Sequence, residues 1–138
     1  MKFFTAAVLS VAAVSASPVF TVSDFYAGCI PHSAQCSYSF GVIQPGTEEK
    51  TPVRCSIMLG ATKGGNLPDV KEGQCKGSSR TFKVVRSKKG LTLTVSQPIT
   101  PSSNQTGEHF IPKKEIVKSD EPNAEVQTYK GPKNFDLN

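Results

Sequence analysis

The chain has 138 residues, with 37% hydrophobic side chains, 20% charged side chains and a formal net charge of +5. This length allows one small domain, and 11 Gly and 10 Pro are too few for a low-complexity, disordered chain. With two His and no Cys-x-x-Cys motif, the sequence offers little for a metal cage or a thiol-redox site, so no cofactor is expected.

Residues 1–16 have the pattern of a secretory signal peptide. Lys2 precedes an apolar run, and the segment ends in the short side chains of Val14, Ser15 and Ala16. The run has about 12 residues, whereas a membrane-spanning helix needs roughly 20. We therefore expect residues 17–138 to form a single secreted, extracellular β domain with a short irregular C-terminal tail and no membrane span.

The predicted mature chain is only modestly basic. Removing Lys2 from the 16 basic residues leaves a net charge of +4 against 11 acidic residues, and these charges are spread along the chain. Such a distribution favours solubility and is unlike the clustered charge of nucleic-acid-binding proteins, so no nucleic-acid partner is expected.

The four cysteines, Cys29, Cys36, Cys55 and Cys75, are an even set in a chain expected to enter an oxidising compartment. They predict two disulfides, for which three connectivities are possible. We favour Cys29–Cys36, which closes a short loop with Pro31, and Cys55–Cys75, which brackets a Gly-, Pro- and Lys-rich segment. Their spacing is unlike that of zinc fingers or ribbons.

Alternating apolar and polar residues predict the first strands. The alternation occurs in residues 20–23, 36–42 and 53–59, and it is typical of half-buried strands. It places two sets of side chains toward the core. These are Tyr38, Phe40 and Val42 in the second segment and Val53, Cys55, Ile57 and Leu59 in the third.

Turn residues and alternation then predict a loop followed by a hairpin. Residues 60–79 lose the alternation and are predicted to form a long loop tied down by Cys75. Residues 81–86 and 91–96 flank the turn 87–90 and predict a β-hairpin, with Leu91, Leu93 and Val95 directed inward.

The last third of the chain contains weaker signals. Residues 98–107 have turn and loop chemistry, and Asn104 begins an N-glycosylation sequon, so an exposed glycan is expected there. Two weaker strands are predicted at 109–117 and 124–129. About seven short strands without a helical stripe predict an all-β fold, a small antiparallel β-sandwich or barrel stapled by two disulfides.

Enzymatic function has one candidate constellation in the sequence. A small secreted ribonuclease needs a carboxylate base, an Arg for the phosphate and a His acid, and His32, Glu49, Arg80 or Arg86, and His109 occur in that order. Two histidines meet such an order easily by chance, and a Gly-x-Ser-x-Gly nucleophile elbow is missing. We therefore predict no catalytic residues and keep the ribonuclease as the alternative.

A binding function has a candidate surface at the predicted hairpin. Lys83, Arg86, Lys88 and Lys89 make its tip basic, which suits an acidic partner, although such charges also protect a sheet edge from aggregation. The predicted contact loops are residues 60–76 and 87–90. A small antifungal or toxin-like protein is a further alternative, because that class is also secreted, basic and disulfide-rich.

Three segments carry a resemblance to a known family. Residues 20–26 (Phe-Thr-Val-Ser-Asp-Phe-Tyr), 38–42 (Tyr-Ser-Phe-Gly-Val) and 53–56 (Val-Arg-Cys-Ser) resemble the Alternaria major-allergen-like family of fungal secreted proteins, which includes hypersensitive-response-inducing elicitors. Cys55 and Cys75 match a disulfide of that family. The similarity covers about residues 19–80, and this chain lacks the family's N-terminal cysteine that joins subunits.

The resemblance implies a small, non-enzymatic β-barrel or sandwich that plant cells perceive or that binds extracellular host proteins or a cell-surface receptor. A monomer or a non-covalent dimer is expected. The family's function is not tied to a catalytic motif, so only structural cysteines carry over to this chain.

Overall fold

The alternating segments of the sequence form antiparallel strands in a computed structural model, which describes residues 17–119 and 125–138. The predicted signal peptide at residues 1–16 lies outside the described residues. Within them the fold is all-β, as expected. The strands are β1 (Phe20–Cys29), β2 (Gln35–Ile43), β3 (Val53–Gly60), β4 (Val70–Cys75), β5 (Thr81–Ser87), β6 (Gly90–Thr100), β7 (Ser103–Pro112), β8 (Ile116–Lys118), β9 (Gln127–Tyr129) and β10 (Phe135–Leu137).

The strands form one sheet that is nearly closed into a barrel. Strands β1 to β7 pair in chain order, each antiparallel to the next, and β9 and β8 continue the sheet beyond β1. Strand β10 pairs with β1, where Phe20 lies opposite Leu137. On the other side of β10, the backbone groups of Asn138 and Glu108 on β7 exchange two hydrogen bonds of 3.0 Å. The C-terminal residues therefore bridge the first and seventh strands.

This bridge corrects the prediction of an irregular C-terminal tail. Phe135–Leu137 is a strand, and the Leu137 side chain is fully buried. So short a strand shows no recognisable alternation, and its partner, β1, lies at the other end of the described chain. The tail is ordered by this distant pairing rather than by a local signal.

The predicted inward-facing side chains form the core. Tyr38, Phe40 and Val42 on β2 are each no more than 1% exposed, and the alternate positions of β6 and β3 also point inward as predicted. The ring of Phe40 meets that of Phe82 edge to face at 5.0 Å. Aromatic packing of this kind adds about 0.5–1.5 kcal/mol per pair beyond the burial of apolar area.

Both favoured disulfides are present. Cys29–Cys36 joins directly opposed residues of β1 and β2, and Cys55–Cys75 joins directly opposed residues of β3 and β4. The prediction that residues 60–79 form one long loop is wrong at Val70–Cys75, which is β4. The connection between β3 and β4 is thus confined to residues 61–69.

Gly73 explains why β4 escapes a pattern-based prediction. A Cβ atom built at Gly73 would lie 2.2 Å from the ring of Phe82, the residue opposite it on β5. Only glycine leaves room for that ring inside the barrel, so the position that would carry an inward apolar side chain carries none. The pairing of β4 with β5 also shifts register next to it, between Val70 and Gly73.

Two further sequence predictions need correction. Residues 98–107 are not a loop, because β6 continues to Thr100 and β7 begins at Ser103, with a tight turn between them. Asn104 therefore lies on a strand. The strand expected at 109–117 is interrupted by a 3₁₀ turn at Lys113–Glu115, and the one expected at 124–129 is confined in the described residues to β9.

Antiparallel pairing in chain order places successive connections at alternate ends of the barrel. Connections 30–34, 61–69, 88–89 and 113–115 lie at one end. We call it the basic end because these connections carry Lys63, Lys88, Lys89, Lys113 and Lys114. Connections 44–52, 76–80 and 101–102 lie at the opposite end. Among the described residues, no helix is long and apolar enough to cross a membrane.

Candidate functional site

A cavity opens at the basic end, between the β3–β4 connection and the β5–β6 hairpin. Its volume is about 650 Å³, and its lining residues are Thr62, Pro68, Asp69, Arg86, Ser87 and Lys88. A second cavity of about 150 Å³ shares the last three of these residues and extends toward Lys113, Ile116 and Gln127. The tip of the β5–β6 hairpin therefore stands between two recesses.

The β3–β4 connection forms one wall because it is fastened to β9. Gln127 accepts a hydrogen bond from the Leu67 backbone at 2.9 Å through its side chain, and its own backbone N–H donates to Gly65 at 3.0 Å. Gly64 and Gly65 have φ angles of +85° and +74°, in the left-handed region that favours glycine. Leu67 is fully buried beneath this turn, so the wall is a packed part of the fold.

Arg86 on β5 is held in a defined position within the cavity. Its Nη1 donates to the Thr62 hydroxyl at 2.9 Å, and its backbone N–H donates to the Asp69 carboxylate at 2.8 Å. A guanidinium has several N–H donors in a rigid fork, and the bond to Thr62 uses one of them among the described residues. Arg86 is therefore oriented to offer further donors to an anionic group.

Tyr38 supports the floor of the cavity from inside the barrel. Its buried hydroxyl donates to the Pro68 carbonyl oxygen at 2.7 Å. Burial raises the pKa of Tyr38 far above its ordinary value of 10.0, with a smaller lowering by Arg86 and a smaller raising by Asp69. The phenol stays protonated, so this bond persists throughout the physiological pH range and fixes Pro68.

Positive charge dominates the surface around the cavities. The acidic side chains in the described connections and adjoining residues are Asp69, Glu115 and Glu125. The basic ones are more numerous: Lys63, Arg86, Lys88, Lys89, Lys113, Lys114 and Lys118. The cavity lining carries Arg86 and Lys88 against Asp69, and the lysines around its mouth add further positive charge. Such an excess of one sign attracts anionic groups, so the arrangement can bind an acidic partner without covalent chemistry.

Only some of the predicted contact residues lie at the cavity. Arg86 and Lys88 line the cavity, and Lys89 shares their turn. Lys83 lies on the outer face of β5, away from the cavity lining. Of the predicted contact loop 60–76, only the part before β4 forms a wall, through Thr62, Pro68 and Asp69.

Sequence reasoning missed Lys113 because β6 and β7 separate it from Lys88 in the chain. A signal existed in the repeated Lys-Lys pair, which occurs at 88–89 and again at 113–114. In a sheet whose strands pair in chain order, two connections lie at the same end when an even number of strands separates them. Two strands, β6 and β7, separate the two Lys-Lys pairs, so both pairs lie at the same end of the barrel. Thr62 and Asp69 offered no comparable signal.

The residues of the ribonuclease alternative do not converge. His32 lies in the β1–β2 turn at the basic end, whereas Glu49 lies in the β2–β3 connection at the opposite end. Glu49 pairs with buried Arg80 through bonds of 2.9 and 3.0 Å. His109 instead stacks on Phe135, with ring centroids 4.0 Å apart. This geometry gives Glu49 and Arg80 a structural role at the opposite end of the barrel.

Asn104 is exposed on β7, near the turn at the opposite end from the cavities. A glycan there would leave the basic end uncovered.

Within residues 17–119 and 125–138, no three His, Cys, Asp or Glu side chains come together as candidate metal ligands.

Fold and site together define a small antiparallel barrel with two disulfides and a basic cavity at one end. Comparison of the chain with protein-family models, with curated proteins and with solved structures gives no match.

Proposed function

We propose that this chain is a secreted protein that acts outside the cell by recognising an acidic protein partner, and that it elicits a defence response in plant tissue. The observation that carries the proposal is the cavity at the basic end, where Arg86 is oriented by Thr62 and flanked by Lys88. The resemblance to fungal elicitors supports the biological setting of this recognition.

The composition of the site favours binding over catalysis. The cavity holds cationic and hydroxyl side chains and one carboxylate, Asp69, which already accepts a hydrogen bond from the Arg86 backbone. A general acid-base pair or an activated nucleophile needs neighbouring groups with matched proton affinities, and His32 and His109 are not part of the cavity lining. The cavity instead suits electrostatic capture of a carboxylate.

Two disulfides support action outside the cell. Both bonds join opposed residues of neighbouring strands in the barrel wall, and such bonds persist in oxidising compartments. A rigid wall also reduces the ordering cost of binding, because the loops at the basic end are held in place before the partner arrives.

The test is infiltration of the oxidised protein, residues 17–138, into leaf tissue. A paired charge reversal, Lys88→Glu with Lys89→Glu, is expected to abolish cell death and the defence burst without changing the melting temperature. The matched control, Lys50→Glu with Lys76→Glu, makes the same change in net charge at exposed residues of the opposite end.

Activity of the control together with silence of the Lys88/Lys89 variant supports the proposal. Equal loss in both variants means that net charge, rather than the basic end, determines the response. A full response from the Lys88/Lys89 variant refutes the proposed site. RNA cleavage measured on the same samples distinguishes the ribonuclease alternative, and killing of a competing fungus distinguishes the antifungal one.

A further inference from the structure

Apolar side chains lie on the outer wall of the barrel directly below the hairpin tip. Val85, Thr92 and Phe110 are cross-strand neighbours on β5, β6 and β7, and we call them the outer row. Val85 is 48% exposed and Phe110 is 46% exposed. Phe110 and Val85 flank Thr92 and lie two strand spacings apart, about 10 Å, so folding leaves two apolar side chains uncovered on this face with a threonine between them.

Basic residues border the outer row on two sides. Lys83, one row further from the tip, is exposed on β5, and Lys88 and Lys89 form the turn above it. Lys113 and Lys114 follow the end of β7. The acidic neighbours are Glu108 on β7, opposite Thr94 in the row of Lys83, and exposed Glu72 on β4, in the register shift opposite Lys83.

This layout matches the anatomy of a protein-binding surface. Protein interfaces have an apolar centre with aromatic anchors and a polar rim, and the anchors supply most of the binding energy. The outer row supplies the centre, and the surrounding lysines supply a rim that is mainly positive. Charge complementarity then requires an acidic partner, and the same rim opposes pairing of this face with a second copy of the chain.

We propose that the outer row is the apolar anchor site for the same partner, which carries an apolar side chain within an acidic segment. This inference rests on the proposed function: acidic groups of the partner bind at the basic end, while its apolar side chain covers Phe110 and Val85. A protein segment is favoured over a membrane surface because the tip of the hairpin carries lysines, whereas the apolar residues lie on the strand wall, where they cannot enter a bilayer ahead of the tip.

The experiment compares two fluorescein-labelled synthetic peptides by fluorescence anisotropy. Both peptides are twelve-residue segments rich in Glu, and one carries two Leu where the other carries two Ser. The wild-type protein is expected to bind the Leu peptide about tenfold more tightly, the gain from covering about half of a Phe and half of a Val side chain. Phe110→Ser is expected to remove most of that preference.

One further variant is a control and another is a second test. The control, Ile99→Ser, changes a side chain that is 62% exposed on β6 near the opposite end, and it is expected to leave the preference for the Leu peptide intact. Val85→Ser tests the row independently of Phe110 and is expected to reduce the preference about threefold. Both changed positions of the row are outside the core, so melting temperatures are expected to stay within about 2 °C of the wild type.

The outcomes separate this inference from the proposed function. Equal binding of both peptides, with loss of binding in the Lys88→Glu, Lys89→Glu variant, keeps the basic end as a site and overturns the outer row. Weaker binding of both peptides by the Lys88→Glu, Lys89→Glu variant, with the Leu preference kept, supports both sites; unchanged affinity for both peptides in that variant refutes the basic end. Absence of binding to either peptide, or tighter binding to phosphatidylserine vesicles that Phe110→Ser weakens, overturns the inference.

Discussion

Glu49→Gln is expected to destabilise the barrel far more than the same change at its exposed neighbour, Glu48. Glu49 accepts two hydrogen bonds from Arg80, at 2.9 and 3.0 Å, and one from the Gln44 backbone at 2.8 Å. The Arg80 side chain is only 6% exposed and packs over the ring of Phe20 at 5.4 Å. Neutralising Glu49 leaves a buried guanidinium without its counter-charge.

The expected loss follows from the burial of the pair. Removing one partner of a buried ion pair costs about 3–5 kcal/mol. The Glu49 side chain is 23% exposed, so water compensates part of this loss, and we expect about 2–4 kcal/mol. A domain of about 120 residues has an unfolding entropy of about 0.25 kcal/mol/K, so a loss of about 3 kcal/mol lowers the Tm by about 12 °C.

Urea unfolding followed by circular dichroism and tyrosine fluorescence measures this loss, since the chain has three Tyr and no Trp. Glu48→Gln is the matched control because Glu48 is exposed. Substitutions at the surface usually change stability by no more than about 0.5 kcal/mol. A difference between the two variants within that range would refute the reasoning, since it would mean that Arg80 is satisfied without Glu49.

The same pair predicts a pH dependence. Burial raises the pKa of Glu49, but the hydrogen bonds from Arg80 and from the Gln44 backbone and the charge of Arg80 outweigh it, so the pKa lies below its ordinary value of 4.5. A depressed carboxyl pKa contributes stability that is fully present above pH 4.5 and is lost as the pH falls through the folded-state value. The stability gap between wild type and Glu49→Gln should close in that acidic range.

Three other substitutions test the remaining parts of the fold. Cys55→Ser with Cys75→Ser is expected to cost about 3 kcal/mol in urea unfolding, because the bond closes a loop with a sequence separation of 20; an unchanged midpoint would show that the bond adds nothing. Gly73→Ala is expected to cost about 1–3 kcal/mol, since its Cβ would lie 2.2 Å from a ring of β5, whereas Gly60→Ala, with its nearest atom at 3.7 Å, should be nearly neutral. Burial lowers the pKa of His109 below 6.5, against a raising by two nearby carboxylates, so the free energy of unfolding should begin to fall as the pH drops below 6.5. His109→Phe should make stability less dependent on pH between 7 and 5, as urea unfolding at each pH would show.

Local alternation was sufficient to predict the strands whose inner positions all carry apolar side chains. In β2, the inward residues Tyr38, Phe40 and Val42 alternate with polar ones, and β6 repeats the pattern. The two disulfides were also predictable, because each joins segments on either side of a short or turn-rich stretch. The strands and the disulfides depend on residues that are close together in the chain, so the local sequence pattern is enough to predict them.

The unpredicted features depend on partners that are distant in the chain. Gly73 is required by Phe82, and the strand at Phe135–Leu137 exists because β1 and β7 leave a gap that it fills. Arg80 contradicts the usual exposure of arginine, and its burial follows from its pairing with Glu49 in another connection. At the basic end, the hairpin and its lysines were predicted, whereas the wall formed by Thr62 and Asp69 results from the packing of a connection over the barrel mouth.

The distance between the two ends of the barrel determines whether a charge reversal at one end changes the electrostatic potential at the other. Strand β2, of nine residues, would span about 30 Å if it lay along the axis, and the usual tilt of barrel strands reduces this separation to about 20 Å. The Debye length at physiological ionic strength is about 8 Å, so reversed charges at Lys50 and Lys76 have little effect on the potential at Arg86. The same reversals at Lys88 and Lys89 act within that length. At low salt the screening weakens, and the two paired variants should then become more alike in their effect on association rate; a difference that stays constant from low to high salt would mean that Lys88 and Lys89 contact the partner directly rather than through their field.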